Sequence, residues 1–207
     1  LNKAKGNLCN KKTWKKLPRC KVLLHLAAKS YVPDSWKNNF KFIKNNIDST
    51  KNALQYCKEN DAKLVFASTN IYEYSKKKKL NEKSKLNPKN PYQISKFLCE
   101  ELCRYHNINF KTKILILRIF NSYGKHQAKK FLIPQLILMI NKGKIILKNP
   151  DLSRDFIYIK DLVRAINISL DKTYNFKILN IGNGKSKKIK DILKIILDEM
   201  DINKKDI

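Results

Sequence analysis

Three short apolar runs stand out from a lysine-rich background: residues 21–26 (KVLLHL), 63–67 (KLVFA) and 114–119 (ILILRI). None alternates polar with apolar positions, as a strand with one wet face would. Runs of this length bounded by polar residues are the pattern of strands covered on both faces. Between them the apolar positions recur at helical spacing. After the start signal Pro33-Asp34-Ser35, residues Phe40, Ile43, Ile47, Ala53 and Cys57 predict a helix over 37–59. Pro91 stands where proline favours a first turn, and Ile94, Leu98 and Leu102 mark one face of a helix over 92–106. Farther on, the pattern predicts a helix over 131–141, short strands at 145–147 and 156–159, a helix near 161–170, a strand near 177–181 and a helix near 187–199. Segment 73–90, with lysines at 76–79 and Pro88, reads as a surface loop. Strands alternating with helices point to an α/β fold, a parallel sheet with crossover helices.

Composition narrows the reading. The chain has 207 residues, 43% of them hydrophobic, enough for a real core. Lys and Arg outnumber Asp and Glu by 45 to 17, a net charge of +28. Forty of the basic residues are Lys and five are Arg, spread from end to end. That distribution reads as solvated faces; a dedicated nucleic-acid surface recruits Arg for bidentate contacts. No run of about 18 apolar residues predicts a membrane span, and the N-terminus lacks the apolar core of a secretory signal. Cysteines at 9, 20, 57, 99 and 103 form no C-x-x-C pair, which fits reduced thiols in the cytoplasm. His25, His106 and His126 lie far apart, so no metal site is expected.

In open parallel sheets, ligands bind beyond the C-terminal ends of the strands. Those ends carry Ala27-Ala28-Lys29-Ser30, Ser68-Thr69-Asn70 and Phe120-Asn121-Ser122-Tyr123-Gly124. Near them, Tyr92 and Lys96 are spaced to share one face of a helix. An ammonium beside a phenol favours the phenolate and lowers the tyrosine pKa, which suits a general acid or base for a hydroxyl–ketone conversion. The spacing alone is weak. It occurs three times, as Tyr72/Lys76, Tyr74/Lys78 and Tyr92/Lys96, in a chain with nine Tyr. Only the third opens a helix, after Asn90-Pro91, with a strand before and a strand after.

Six segments then stand in order: HLAAKSYVPDSW (25–36), NNIDST (45–50), FASTNIY (66–72), NPYQISK (90–96), LRIFNSYG (117–124) and SRDFIYIKD (153–161). Together they resemble the extended short-chain dehydrogenase/reductase family, the NAD-dependent sugar-nucleotide epimerases and dehydratases, over about residues 5–200. The resemblance implies a Rossmann-like doubly wound parallel sheet with a smaller substrate domain, NAD as cofactor and a nucleotide-sugar as substrate. It divides the chain into a cofactor-binding part over 1–125 and a substrate-binding part over 126–207, with about 155–182 returning to the first. Tyr92 takes the place of the catalytic acid/base, Lys96 of the residue that tunes it and holds the nicotinamide ribose, and Ser68 of the hydroxyl that bonds the sugar oxygen. Ala27, Ala28 and Lys29 fall where the family's backbone lines the cofactor cleft. Asn46 matches a cofactor-contacting asparagine, and Ala67 and Phe120 are further cofactor positions, Phe120 beside the nicotinamide. Thr69, Asn70 and Asn121 match substrate contacts, and Arg154 matches an arginine that grips the diphosphate, a task suited to its forked donors.

Departures matter as well. The family opens with a strand, a glycine-rich turn and a helix whose N-terminus binds the pyrophosphate. Here only Gly6 precedes residue 100, and the chain aligns from near the family's third strand. The expectation is therefore a fragment, or a product lacking the phosphate-binding half-motif, truncated at both ends, which by itself neither binds NAD at micromolar affinity nor catalyses epimerisation. Lys5-Gly6-Asn7-Leu8 resembles the family's G-D-L turn near the adenine, which places Asn7 and Leu8 at the cofactor. Glu73, Ser49 and Lys125 replace usual Gly, Gly and Pro. Thr69 and Asn70 stand where 4,6-dehydratases carry an acidic pair, which favours a 4-epimerase-like reaction. Dehydratase, decarboxylase and reductase reactions remain open, as does another class, an inactive relic or basic polyanion-binding protein. The resemblance also implies a homodimer through the helices at 37–59 and 91–106.

Overall fold

The computed structural model describes residues 6–72 and 80–202. Glu73, the lysines at 76–79 and the Tyr-x-x-x-Lys pairs ending at Lys76 and Lys78 fall outside them. In chain order the elements are α1 (Lys11–Trp14), β1 (Val22–His25), α2 (Val32–Lys37), α3 (Asn39–Asn60), β2 (Lys63–Thr69), α4 (Pro91–Phe110), β3 (Ile114–Ile119), β4 (Asn121–Tyr123), α5 (Leu132–Asn141), β5 (Ser153–Tyr158), α6 (Ile159–Asp171), β6 (Phe176–Ile181), β7 (Ser186–Lys188) and α7 (Ile189–Glu199). They fall into two compact units, one bounded as Leu1–Ile119 with Ile168–Asn180, the other as Phe120–Asn167 with Ile181–Ile207.

The first unit is built on a sheet in the order β1-β2-β3-β6. β1 and β3 each pair parallel to β2, with His25 opposite Phe66 and Ser68 opposite Arg118. Leu64, Val65, Phe66 and Ile114 through Leu117 are wholly inaccessible, as their unbroken apolar pattern requires. Helices α3 and α4 supply Ala53, Leu54, Cys57, Cys99 and Cys103 to the same core, which Trp14 joins. Asn90 caps α4 by accepting from the Gln93 amide at 2.9 Å, and Pro91 opens its first turn. This cap places the following residues at the C-terminal end of β2, which is what brings Tyr92 and Lys96 to the site.

The face of α4 differs from the one the spacing predicts. Ile94 and Leu98 are 36% and 38% exposed, while Ser95, Lys96, Cys99, Glu100 and Cys103 are buried. Each buried polar group on that stripe has a protein partner, so its desolvation is offset and the polar stripe can face the sheet. Similarly, Phe42 of α3 is buried while Phe40 is 80% exposed.

In the second unit β4 pairs parallel to β5, and β5 antiparallel to β7. Leu136 and Ile140 of α5 pack with Ile192, Leu193 and Leu197 of α7. Residues 145–147 form no strand; Ile145 and Leu147 pack against this cluster as irregular chain. The strand expected at 156–159 starts at Ser153 instead. Among the described residues no helix is long and apolar enough to cross a membrane, and no group of three or more His, Cys, Asp or Glu could hold a metal ion.

Candidate active site

The first unit gathers its chemistry where β2 ends and α4 begins. Lys96, 3% exposed, donates from Nζ to the Ala67 carbonyl at 2.6 Å and stands 4.7 Å from the centroid of the Phe66 ring. Burial lowers its pKa to about 8. Tyr92 packs edge-on against Phe42, ring centroids 6.4 Å apart. The expectation that Lys96 draws the Tyr92 pKa down is corrected here. Burial raises it, a hydrogen bond from the Thr69 side chain opposes the rise, and Lys96 is not among the influences on it. Lys96 Nζ instead donates to the Ala67 carbonyl, and burial disfavours the charged phenolate.

Ser68 and Thr69 part company at the same strand end. The Ser68 hydroxyl donates to Glu100 Oε1 at 2.5 Å, inside the unit, and Ser68 is 4% exposed. Thr69, half-buried, stands close enough to Tyr92 for its side chain to act against the rise in the Tyr92 pKa. The hydroxyl that the structure brings to Tyr92 is thus that of Thr69, assigned from sequence to substrate contact, rather than that of Ser68. Asn70 forms a local turn, its Oδ1 accepting from the Tyr72 amide at 3.2 Å, and its carbonyl accepts from Gln93 Nε2 at 2.8 Å. The latter bond ties the strand end to the first turn of α4.

Asn46 is 1% exposed and fully occupied. Its Oδ1 accepts from the Lys29 amide at 2.8 Å, and its Nδ2 donates to the Lys29 carbonyl at 3.0 Å and to Ser95 Oγ at 2.8 Å. Ser95 in turn donates to the Tyr92 carbonyl at 2.7 Å. Asn46 therefore clamps the segment after β1 to α4, and no side-chain donor is left over for a cofactor. Ala27 and Lys29 lie exposed on that segment, with Ala28 half-buried between them. Asn7 accepts on Oδ1 from the Cys9 amide at 3.0 Å, and the Leu8 carbonyl accepts from Trp14 Nε1 at 2.8 Å and Asn52 Nδ2 at 2.9 Å. The turn at Asn7 and Leu8 is thereby fastened to α1 and α3.

In the second unit, the Phe120 amide donates to the Ile181 carbonyl at 2.9 Å. Asn121 Nδ2 donates to the Asp155 carbonyl at 2.9 Å. Arg154 is exposed, and its guanidinium donates to the Ser153 carbonyl at 3.2 Å.

Two residues escaped the sequence reading, Glu100 and Arg118. Arg118 Nη2 lies 2.6 Å from Glu100 Oε2, and both residues are 1% exposed. A signal was present: one charged residue inside an otherwise apolar strand demands a buried counter-charge, and Glu100 sits one turn beyond Lys96 on α4.

The parallel sheet, the strand-end hydroxyl and the Tyr92–Lys96 pair define a Rossmann-type α/β protein with the residues of dinucleotide-linked hydroxyl–ketone chemistry. The sequence profile of the NAD dependent epimerase/dehydratase family matches residues 2–182, and the chain belongs to that family. It is 33% identical over 182 residues to an uncharacterized UDP-glucose epimerase of Bacillus subtilis, covering 86% of this chain and 58% of that protein. It is 35% identical over 176 residues to the dTDP-D-glucose 4,6-dehydratase of Dictyostelium discoideum, covering 78% of this chain and 41% of that one. A UDP-N-acetylglucosamine 4-epimerase from Methanobrevibacter ruminantium superposes with a TM-score of 0.88 at 29% identity, over 96% of this chain and 66% of its own. The chain thus spans less than two thirds of the length of both curated relatives.

The residues present fit a dinucleotide at the nicotinamide end. Among the described residues Lys96 makes one hydrogen bond, to Ala67, which leaves further ammonium donors for ribose hydroxyls.

Proposed function

We propose that the chain carries the catalytic face of an NAD-dependent sugar-nucleotide 4-epimerase, an isomerase. The carrying observation is Tyr92, half-buried in the first turn of α4, with the Thr69 side chain near enough to act on its pKa and Lys96 one turn away. In this reading Tyr92 Oη removes the proton of the sugar's C4 hydroxyl as the C4 hydride departs, and returns it after the keto-sugar has turned over. Bound NAD would supply the hydride acceptor and return the hydride, and its oxidised ring would add a positive charge that favours ionisation of the phenol. Thr69, rather than Ser68, steadies the reacting oxygen by hydrogen bonding. Lys96 holds the ribose, the backbone at Ala27, Ala28 and Lys29 lines the cofactor cleft, and Asn46 supports that backbone. Asn121 and Arg154 contact the sugar and the diphosphate.

Relatives with epimerase and dehydratase names are about equally similar, at 33% and 35% identity, so the local chemistry carries the distinction. Thr69 and Asn70 offer no carboxyl group to move the protons of a dehydration. The test is to incubate the protein with NAD and either UDP-glucose or UDP-N-acetylglucosamine and to separate the products. Inversion at C4 supports the proposal, and a 4-keto-6-deoxy product overturns it. Replacing Tyr92 by Phe lowers turnover about 10²-fold or more.

A homodimer and a cytoplasmic location belong to the same proposal. Phe40, Tyr105 and Ile108 on α3 and α4 are 80%, 56% and 59% exposed, apolar surface of the kind that pairs helices between subunits. Five free cysteines fit a reducing compartment. Size-exclusion chromatography with light scattering reads the oligomer directly.

A further inference from the structure

We infer that the buried Glu100–Arg118 ion pair is a positioning element for the catalytic face: it holds the Ser68 hydroxyl turned inward, so that the adjacent Thr69 presents its own to Tyr92. The inference rests on the proposed reading of Tyr92 for its functional meaning, though its geometry stands apart from any turnover.

The pair is built to fix a direction. Arg118 Nε reaches both Glu100 oxygens at 3.1 Å, and Nη2 lies 2.6 Å from Oε2. Glu100 Oε1 then has the capacity for one more donor, and takes the Ser68 hydroxyl at 2.5 Å. The far side of the guanidinium is fixed too, because Nη1 donates to Tyr72 Oη at 2.8 Å. Tyr72 Oη in turn donates to Asn180 Oδ1 at 2.5 Å. A continuous run of hydrogen bonds therefore leads from Asn180 on β6, through Tyr72, Arg118 and Glu100, to the end of β2. Ser68 and Arg118 are also direct neighbours across the paired strands.

The physical reason for such a device lies in the period of a strand. Consecutive side chains point to opposite faces, so only one of Ser68 and Thr69 can face inward. A shift of one residue exchanges them. Both carry a hydroxyl, and at a strand end their own chemistry selects weakly between the two arrangements. A carboxylate with a vacant lone pair, locked by a bidentate arginine, selects strongly. Stability alone does not call for this arrangement, since a buried ion pair is often no better than well-packed apolar residues. Glu100 touches none of the reacting atoms, and acts through Ser68 and Thr69.

The test reads the Tyr92 hydroxyl itself. The full chain is labelled with [13Cζ]tyrosine, and the Tyr92 resonance is assigned by its loss in Tyr92→Phe. Thr69→Val removes the neighbouring hydroxyl and displaces the resonance. The inference expects Ser68→Ala and Glu100→Gln to displace it in the same direction, by at least about half as much. It also expects the double variant Ser68→Ala/Thr69→Val to move it no further than Thr69→Val alone, as coupled sites do. Ser68→Ala leaves the ion pair intact, so it keeps the inference open to refutation if Glu100→Gln does not fold. Resonances unmoved in folded Ser68→Ala, while Thr69→Val moves them, overturn the inference. An unmoved Thr69→Val resonance overturns it as well, and removes Thr69 from the proposed mechanism. Failure of the wild-type chain to epimerise any sugar leaves these resonances unaffected and counts against the proposed function alone.

Discussion

Lys96 Nζ donates to the Ala67 carbonyl at 2.6 Å, although Tyr92 lies one helical turn away on the same helix. An ammonium with one carbonyl for company is poorly compensated for lost water, and its pKa falls from 10.5 to about 8. The sign of the stability effect follows. Between those values the unfolded chain keeps a proton that the folded chain has released, so stability rises with pH across the window. The cost of burying the charged form is fully present below about pH 8 and amounts to about 3 kcal/mol. Lys96→Met removes the titrating group. Urea unfolding of both proteins at about pH 7 and about pH 10 should show the variant gaining on the wild type at the lower pH. A difference that stays constant with pH refutes the burial of a titrating amine here.

The Glu100–Arg118 pair makes a separate prediction about stability. Removing one partner leaves a bare charge in the core, which costs about 3–5 kcal/mol, whereas removing both costs less. Arg118→Met alone should therefore destabilise more than Arg118→Met combined with Glu100→Leu. Guanidinium melts of the two variants decide it, and equal losses count against a buried pair.

These two sites also mark how far the sequence could be read. The α/β architecture was legible, because β1, β2 and β3 are unbroken apolar runs separated by helical periodicity. What periodicity could not supply was direction. It favoured Ile94 and Leu98 as the inner face of α4, since hydrophobicity was the only criterion, whereas Lys96 and Glu100 are inside because Ala67, Ser68 and Arg118 satisfy them. It could not tell Ser68 from Thr69, because that choice turns on a single residue of strand register. β4 and β7 are three residues each, too short for any period to register. Asn46 was placed at the cofactor by resemblance, and only coordinates could show its amide already committed to Lys29 and Ser95.

That commitment is testable. Asn46→Ala deletes three hydrogen bonds and leaves Ser95 Oγ buried without its donor. Unsatisfied buried polar groups cost about 1–3 kcal/mol each, and the expected loss of stability is about 2–3 kcal/mol. Urea titration measures it. A loss below about 0.5 kcal/mol means that the clamp contributes nothing.

In the second unit, Gly182 is required by close approach. A Cβ there would lie 2.9 Å from Asp155 Oδ2 and 3.3 Å from the Phe120 ring. Asp155 already accepts from the Asn183 and Gly184 amides, both at 2.8 Å, so it has little freedom to retreat. Gly182→Ala should lower stability by about 1–3 kcal/mol through overpacking. A thermal melt that matches the wild type refutes the crowding.

The acid limb of stability should be steepened by one histidine. His25 ends β1 with its ring stacked on Phe66 at 5.9 Å and edge-on to Trp14 at 6.2 Å. Among the described residues its Nε2 is buried without a hydrogen-bond partner. Burial, aided by the charge of Lys96, lowers its pKa from 6.5 to about 4, so the folded state holds the ring neutral. Below about pH 6.5 the unfolded chain takes up a proton that the folded chain excludes, and stability falls as pH falls, until the folded form also protonates near pH 4. The loss across that window is about 3 kcal/mol. His25→Phe keeps an aromatic ring in the stack and cannot titrate, while carboxylates contribute alike to both proteins. The difference in unfolding free energy between wild type and variant should therefore shift by about that amount between pH 7 and pH 4. Proton NMR of the His25 ring offers an independent check. A midpoint near 6.5, or acid limbs of equal slope, would show that the ring reaches water and that β1 ends more openly than its packing against Phe66 and Trp14 implies.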